Sequence, residues 1–364
     1  MTHSLRRDRL AAKLAAAGLD AILVSDLVNV RYLSGFTGSN AAILVFADDT
    51  PTRLATDGRY RTQAAQQAPD VEVDIERACG DHLVKQALAA GARRVGFESH
   101  VVTVDGFHAL SRGLEGVAGS ELVRAAAFVE QLREVKDAGE IAQLRLACGA
   151  ADAALSDLVA GGGLRPGRTA RAVGRELEAL MLDHGADGNA FETIVATGAN
   201  SAIPHHRPTD AVLRTGDFVK IDFGARVGGY HSDMTRTFVL GAAADWQREI
   251  YRLVADAQRA GRKALEPGAA LNAVDAAART VIVDAGYGEA FSHGLGHGVG
   301  LQIHEAPGIG AAATGTLPAG SVVTVEPGVY LPERGGVRIE DTLVVGEGGS
   351  ELLTRYPKEL AVLT

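Results

Sequence analysis

Five side chains in the second half of this 364-residue chain have the chemistry of a hydrolytic site that uses two metal ions. They are four carboxylates and one imidazole: Asp222, Asp233, His297, Glu326 and Glu340. Carboxylate oxygens and imidazole nitrogens suit divalent ions such as Mn²⁺, Co²⁺ or Zn²⁺. The sequence therefore predicts a pair of divalent ions held by these residues.

The two aspartates lie on the arms of a predicted β-hairpin. Two β-rich runs within residues 216–241 flank the dipeptide Gly228-Gly229. A turn centred between Val227 and Gly228 places Asp222 directly opposite Asp233, with Cβ atoms roughly 5 Å apart. Two like charges held so close cost free energy unless a cation lies between them.

The two glutamates repeat this arrangement. Strand-like runs at 322–326 and 336–345 surround a short loop, and a hairpin centred on Glu333 places Glu326 opposite Glu340. A lone carboxylate on a strand usually faces solvent. Asp222 and Glu326, however, adjoin apolar runs, where an unpaired carboxylate is expensive.

The imidazole comes from a glycine-dense segment, residues 291–307, that contains His293, His297 and His304. This composition predicts a loop whose backbone packs closely against a neighbour. An imidazole nitrogen offered from such a loop can complete a metal shell.

The second half of the chain also contains an internal duplication. The segment Leu164-Arg-Pro-Gly167 recurs as Leu265-Glu-Pro-Gly268, 101 residues later. Each copy lies between two segments with helical periodicity, at 140–159 and 171–182 in the first repeat and at 245–265 and 271–283 in the second. Two such units related by a pseudo-twofold axis would bring both carboxylate hairpins together at their junction.

These segments resemble the pita-bread metallopeptidases, and among them the proline-specific branch of aminopeptidase P and prolidase (Xaa-Pro dipeptidase). The resemblance covers roughly residues 130–364. The matching motifs are Ser201-Ala-Ile-Pro-His205, Gly229-Tyr-His-Ser-Asp233, His293-Gly-Leu-Gly-His297, Thr324-Val-Glu326-Pro-Gly and Gly336-Val-Arg-Ile-Glu340-Asp. The resemblance implies an α/β (α+β) fold with two domains. Residues 129–364 would form the pita-bread catalytic domain with its pseudo-twofold repeat, and residues 1–128 a smaller creatinase-like α/β domain.

The resemblance also implies a role for each ligand. Asp222 would bind one metal ion, His297 and Glu326 the other, and Asp233 and Glu340 would bridge both. Two divalent ions, most readily Mn²⁺, would lower the pKa of a water molecule and polarise the scissile carbonyl group. Glu326 would act as the proton shuttle.

Further residues are expected around these ligands. His205 and His304 match histidines that contact substrate and stabilise the tetrahedral intermediate, although His206 competes with His205 for that role. Arg338 lies two residues before Glu340 and would orient a bridging carboxylate. Thr235 either supports the site or is an ordinary strand threonine.

The first third of the sequence predicts an α/β domain without a ligand cluster. Residues 29–36 and 56–60 resemble parts of the creatinase-like domain, which usually caps the site and helps to form a homodimer. Methionine aminopeptidases generally lack this domain and lack the arginine seen here as Arg338. The predicted helix is 5–17, the predicted strands are 20–25, 41–46, 71–75 and 94–97, and the stretch 130–140 is expected to start a connecting helix.

Composition narrows the class of protein further. A net charge of −9 gives no basic footprint for nucleic acid or anionic membrane, and two cysteines make a disulfide framework improbable. No apolar run is long enough to span a membrane. We expect a cytoplasmic enzyme acting on small proline-containing peptides.

Two alternatives use the same fold: a metal-independent creatinase-like hydrolase and a catalytically silent binding module. Both should have lost ligands, and no ligand position is lost here. Whether the enzyme takes only Xaa-Pro dipeptides or also longer peptides is left open by the sequence.

Overall fold

The structure is a computed structural model that describes residues 2–363. The chain divides into two compact units, Met1–Arg133 and Glu134–Thr364. The sequence places the domain boundary after residue 128, and this boundary remains a prediction. Within the described residues, no helix has the length and apolar character needed to cross a membrane.

The first unit is a mixed α/β unit, as predicted. It is built on one six-stranded sheet, in which the strands at Arg53–Thr56 and Glu121–Arg124 were not predicted. The strand order is β4-β3-β2-β1-β5-β6. The helices are α1 (His3–Ala16), α2 (Leu27–Ser34), α3 (Arg61–Gln67), α4 (Cys79–Ala89), α5 (Val104–Arg112) and α6 (Glu130–Arg133). The strands are β1 (Ala21–Val24), β2 (Ala41–Phe46), β3 (Arg53–Thr56), β4 (Glu72–Ile75), β5 (Arg94–Phe97) and β6 (Glu121–Arg124).

Helix α2 includes residues 29–34 of the segment 29–36, for which no secondary structure was predicted. Its ends explain why a helix of only eight residues forms. The Asp26 carboxylate accepts a hydrogen bond from the Val28 N–H at 2.7 Å, and Gly35 ends the helix with φ of +80°. An N-cap carboxylate and a left-handed C-terminal glycine satisfy backbone groups that a short helix leaves unpaired.

The second unit contains four helices and fourteen strands among its described residues. The helices are α7 (Ala138–Ala160), α8 (Ala170–Asp183), α9 (Asp245–Lys263) and α10 (Leu271–Asp284). The strands are β7 (Gly188–Asn189), β8 (Ile194–Thr197), β9 (Phe218–Phe223), β10 (Ala225–Val227), β11 (Tyr230–His231), β12 (Met234–Leu240), β13 (Gly296–Gly298), β14 (Glu305–Ile309), β15 (Val322–Val325), β16 (Gly328–Leu331), β17 (Gly335–Arg338), β18 (Asp341–Val344), β19 (Glu351–Leu352) and β20 (Val362–Leu363).

The two larger sheets of this unit each support one pair of helices. The sheet β20-β12-β9-β8 packs with α7 and α8, and the sheet β14-β13-β15-β18-β19 packs with α9 and α10. Two small sheets, β11-β10-β7 and β16-β17, complete the unit. Each repeat therefore buries its own apolar core between a helix pair and a sheet.

The internal duplication is confirmed at the level of single hydrogen bonds. Gly167 and Gly268 both have positive φ, +91° and +82°. The N–H of Gly167 donates to the carbonyl oxygen of Leu213 at 2.9 Å. The N–H of Gly268 donates to the carbonyl oxygen of Leu317 at 2.8 Å. The turn that precedes α8 therefore recurs before α10, and in both copies the glycine N–H donates to a leucine carbonyl oxygen.

The predicted register of the first hairpin is wrong by two residues. Val227 pairs with Tyr230, so the turn is the two-residue Gly228-Gly229, with φ of +56° and +81°. A turn with two positive φ values is the type I′ geometry that glycine favours. Asp222 consequently lies opposite Thr235 and not opposite Asp233. A shift of two residues keeps the strand face, so both aspartates still point the same way.

The centre of the second hairpin is confirmed, but its strands are interrupted. Gly328 pairs with Arg338 across the turn at Glu333, and Val325 pairs with Asp341 in the same register farther on. Residues 326–327 and 339–340 belong to neither ladder. Glu326 and Glu340 thus occupy corresponding positions between the five-stranded sheet and the two-stranded sheet β16-β17.

The polar stretch 130–140 does not start a single helix, contrary to the prediction. Helix α6 ends at Arg133, and α7 begins only at Ala138. The Asp137 carboxylate accepts from the Glu140 N–H at 3.1 Å, and the Glu140 carboxylate accepts from the Asp137 N–H at 3.0 Å. This reciprocal capping box fixes the first turn of α7.

Candidate metal centre

Asp222 and Asp233 are positioned by a local break in the first hairpin. Asp222 is the fifth residue of β9, and Asp233 directly precedes β12. Between β9 and β10, Gly224 approaches the opposite strand so closely that a Cβ atom would lie 1.9 Å from the Ser232 carbonyl oxygen. Glycine is therefore required at Gly224 to let the chain bend beside the two buried aspartates.

His297 lies in the three-residue strand β13, where the sequence predicted a loop. Strand β13 pairs with both β14 and β15. A Cβ atom on Gly296 would lie 2.0 Å from the Thr324 carbonyl oxygen, and one on Gly298 would lie 2.2 Å from that of Ala306. The glycines on either side of His297 thus allow the close packing that aims the imidazole at the carboxylates.

The five predicted ligands line one cavity of about 380 Å³. Ligand atoms of Asp233, His297 and Glu340 all lie within 4.8 Å of one another. The His297 Nε2 is 3.5 Å from Asp233 Oδ2 and 3.5 Å from Glu326 Oε1. Asp222 lines the same cavity but lies outside the tightest group.

The tautomer of His297 leaves a nitrogen free for a metal ion. Its Nδ1 is 3.0 Å from the carbonyl oxygen of Gly298, which can only accept a hydrogen bond, so the proton is assigned to Nδ1. The lone pair of Nε2 then points toward the carboxylates. Burial lowers the pKa of His297 to about 4, which keeps the ring neutral.

The electrostatics of the cluster show a shortage of positive charge. Burial, followed by repulsion from neighbouring carboxylates, raises the pKa values of Asp233 and Glu340 well above their ordinary range. Burial also raises the pKa of Glu326 to about 7. Within the described part of the chain, Asp222 Oδ1 and Glu340 Oε1 are buried without a hydrogen-bond donor. Carboxylate oxygens left in this condition fit divalent cations, which would satisfy both the charge and the unused lone pairs.

Arg338 reaches a predicted bridging carboxylate indirectly, through Thr235. Its Nη2 forms an ion pair with Asp222, and its Nε donates to Thr235 Oγ1 at 2.9 Å. The Thr235 hydroxyl in turn donates to Glu340 Oε2 at 2.7 Å. The register of the first hairpin explains this indirect contact, because it places Thr235 opposite Asp222. Thr235 is therefore a polar link between Arg338 and Glu340.

Both expected outer histidines are in the cavity, and the competitor His206 is not. His205 and His304 line it, whereas His206 does not appear among the described residues that do so. The His304 and His297 rings meet edge to face, with centroids 4.4 Å apart. Burial lowers the pKa of His304, which favours the neutral imidazole. The geometry favours His205 over His206 for contact with substrate.

Residues without an assigned role in the sequence also support the site. Arg338 donates to the Tyr330 hydroxyl at 2.9 Å, and that hydroxyl is 2.8 Å from His293 Nε2. Lys220 is fully buried and donates to the carbonyl oxygens of Ile203 at 2.7 Å and Pro204 at 3.2 Å. The alternation of β9 could have identified Lys220, because it lies two residues before Asp222 and therefore on the same strand face.

Comparison with known proteins agrees with this site. The profile of metallopeptidase family M24 matches residues 142–347, and that of the creatinase/prolidase N-terminal domain matches residues 6–135. The chain belongs to metallopeptidase family M24 and carries a creatinase/prolidase N-terminal domain. The pita-bread fold expected from the sequence is confirmed.

Individual relatives match over nearly the whole chain. The uncharacterized peptidase YqhT of Bacillus subtilis is 39% identical over 99% of this chain and 100% of its own length. The structure of an Xaa-Pro dipeptidase from Bacillus anthracis has a TM-score of 0.94 at 38% identity and covers 100% of both chains. The structure of an X-Pro aminopeptidase from Thermotoga maritima has a TM-score of 0.89 at 35% identity and covers 98% of this chain and 99% of its own.

Proposed function

We propose that this protein is a metal-dependent exopeptidase that hydrolyses the peptide bond between an amino-terminal residue and proline. The observation that carries the proposal is the convergence of four carboxylates and His297 in one cavity of a family M24 chain. The similar Xaa-Pro dipeptidase and X-Pro aminopeptidase structures support the preference for proline.

Two divalent ions would be held by the five ligands. Asp222 would hold one ion, His297 and Glu326 the other, and Asp233 and Glu340 would be shared by both. The tight grouping of Asp233, His297 and Glu340 supports the bridging assignment. When bound, the ions polarise the scissile carbonyl group and lower the pKa of a water molecule. We propose Mn²⁺ as the native metal, with Co²⁺ and Zn²⁺ as alternatives.

Three side chains act on the substrate or on protons. Glu326, whose carboxylate is 3.5 Å from His297 in the cavity, is suited to take a proton and pass it to the proline nitrogen that leaves. His205 and His304 line the cavity beside the ligands and can donate hydrogen bonds to the substrate and to the oxyanion that develops on its carbonyl group.

Arg338 and Thr235 hold the ligands in place. Arg338 is 1% exposed and fixes Asp222 through its ion pair. Thr235 couples the same guanidinium group to Glu340. These contacts would keep the carboxylates in a fixed orientation when substrate enters. Hydrogen bonds from outer residues orient the ligands of other metal sites in the same way.

The alternatives on this fold are less well supported. A creatinase-like hydrolase or a silent binding module would not need five intact metal ligands. It would also not need two buried carboxylate oxygens that lack a hydrogen-bond donor. The choice between a dipeptidase and an aminopeptidase acting on longer peptides stays open, because both kinds of enzyme occur among the similar structures.

We further propose a cytoplasmic homodimer in which residues 129–364 carry catalysis and residues 1–128 form a separate amino-terminal domain. Two buried free cysteines, Cys79 and Cys148, are typical of a reducing compartment. The match to a creatinase/prolidase N-terminal domain supports the division into two domains.

A peptide panel tests the activity. The purified protein is stripped of metal, reloaded with Mn²⁺ or Co²⁺, and assayed on Met-Pro, Met-Pro-Gly and Met-Ala. We expect cleavage only before proline and loss of activity on chelation. Equal turnover of Met-Ala and Met-Pro would contradict the proline assignment, and the result for Met-Pro-Gly decides between the two kinds of enzyme.

A further inference from the structure

A second cavity of the carboxy-terminal unit has a charge character opposite to that of the metal cavity. It has a volume of about 520 Å³. Its lining contains one anionic side chain, Glu359, and five cationic ones, Arg248, Arg252, Arg259, Arg262 and Lys358. The chain as a whole has a net charge of −9, so this concentration of positive charge does not follow from composition.

Four of the cations lie on one face of helix α9. Arg252, Arg259 and Arg262 follow Arg248 by 4, 11 and 14 residues, a spacing that keeps all four on the same side of a helix with 3.6 residues per turn. Arg259 is paired with Asp256 at 2.5 Å. Arg248 and Arg252 are exposed, and neither has an acidic partner among the described residues. Like charges at this spacing repel each other, and a bound anion would relieve the repulsion.

Two of the lining cations, Lys358 and Arg262, share a single buried carboxylate, that of Asp341. The buried carboxylate of Asp341 lies 2.8 Å from Lys358 Nζ, 3.9 Å from Arg262 Nη1 and 2.8 Å from Arg236 Nη2. One carboxylate thus faces three cations. The Nε of Arg262 is buried and makes no hydrogen bond within the described residues. Lys358 and Arg262 are held in place by Asp341 while retaining unused capacity to bind an anion.

Apart from the polar Gln258, the remaining lining is apolar. Tyr251, Ala255, Ile339 and Leu360 contribute to it, and the volume falls in the range of small-molecule sites. Arginine side chains bind phosphate oxygens through paired N–H groups. We propose that this cavity binds a phosphate monoester whose organic group packs against the apolar lining.

Binding of adenosine monophosphate to the metal-loaded full chain tests this proposal by calorimetry. Inorganic phosphate and adenosine are the comparison probes. We expect adenosine monophosphate to bind more tightly than phosphate, and adenosine to show no binding. The double variant Arg248→Gln/Arg252→Gln should weaken binding at least ~10-fold, because two charge-assisted contacts are lost.

The matched control is Arg171→Gln/Arg175→Gln, which removes two arginines at the same spacing from helix α8 of the same unit. It should bind as the unmodified protein does. A third variant, Asp233→Ala, removes a predicted metal ligand and should keep its affinity for the nucleotide.

Three results would overturn the proposal. They are equal binding of adenosine and its monophosphate, equal weakening in the α8 control, and loss of binding only in Asp233→Ala, which would place the nucleotide at the metal centre. All four substituted arginines, on α9 and on α8, are exposed. Both double variants should therefore melt within a few degrees of the unmodified protein, so a change in affinity cannot be ascribed to unfolding.

Discussion

Glu340 and Asp341 are consecutive residues with almost equal burial and opposite electrostatic surroundings. They are 1% and 0% exposed. Burial and repulsion from Glu326 and Asp222 raise the pKa of Glu340 well above its ordinary range. Burial acts in the same direction on Asp341, but the cations Arg236 and Lys358 outweigh it and lower the pKa of Asp341.

The difference shows that the neighbours of a buried carboxylate, more than its burial, decide its role. Successive extended residues point to opposite sides, so one side chain enters the metal cavity and the next enters a cluster of cations. Glu340 has an orphaned oxygen and needs a cation. Asp341 accepts from Arg236, Gln258 and Thr354 and is already satisfied.

The largest expected effect comes from removing the predicted bridging ligands. Replacing Asp233 or Glu340 by alanine should abolish binding of both ions, because each carboxylate contacts both ions and its loss leaves their charges poorly compensated. Asp222→Ala should lose one ion and keep part of the other. Metal analysis of the three folded variants measures this, and full metal content in the Asp233 and Glu340 variants would contradict the bridging roles.

The different surroundings of Glu340 and Asp341 predict that replacing each by its amide changes the unfolding free energy of the metal-free protein in opposite directions. Asp341→Asn leaves Arg236 buried with its charge unbalanced and should cost about 3–5 kcal/mol of unfolding free energy. Glu340→Gln removes a repelled charge and should stabilise the metal-free protein by about 1 kcal/mol at pH 7.5. Denaturant unfolding of both variants without metal measures the two changes, and effects of the same sign would break the comparison.

The pH dependence of these changes follows from the direction of each pKa shift. A carboxylate with a raised folded-state pKa contributes stability below its unfolded pKa and loses it as pH rises. The advantage of Glu340→Gln should therefore vanish in acid. Asp341 has a lowered pKa, so its stabilising contribution is present near neutral pH and is lost as pH falls.

Replacing His304 is expected to change the metal content little and to lower kcat clearly. His304→Ala should keep close to two ions per chain and lose roughly 10²-fold in kcat, because a donor to the developing oxyanion is removed. His297→Ala is the internal control and should lose metal first. Near-normal kcat with a lowered melting temperature would mean that His304 only packs its segment.

The sequence predicted the five ligands because each has a distinctive local context. Asp222 adjoins an apolar strand, and His297 stands between glycines whose Cβ atoms would collide with neighbouring backbone. The centre of the second hairpin was predictable from the symmetric strands around Glu333. The register of the first hairpin was predicted wrongly, because the type I′ turn at Gly228-Gly229 places Thr235 opposite Asp222.

Features that join distant segments were not predictable in this way. The partners of Asp341 come from β12, α9 and residues 354–358, and no spacing in the sequence relates them. The contact of Arg338 with Asp222 likewise depends on how two repeats pack together. Long-range charge pairing requires the folded backbone, whereas ligand contexts are local.

The most direct test of the account is a titration of the metal-free protein with Mn²⁺ while bound metal and Met-Pro hydrolysis are both followed. We predict that activity appears as the chain binds two ions, and that Glu340→Ala reaches neither the stoichiometry nor the rate. Full Met-Pro hydrolysis by the metal-free protein, or by Glu340→Ala, would contradict the conclusion that these carboxylates form a two-metal peptidase site.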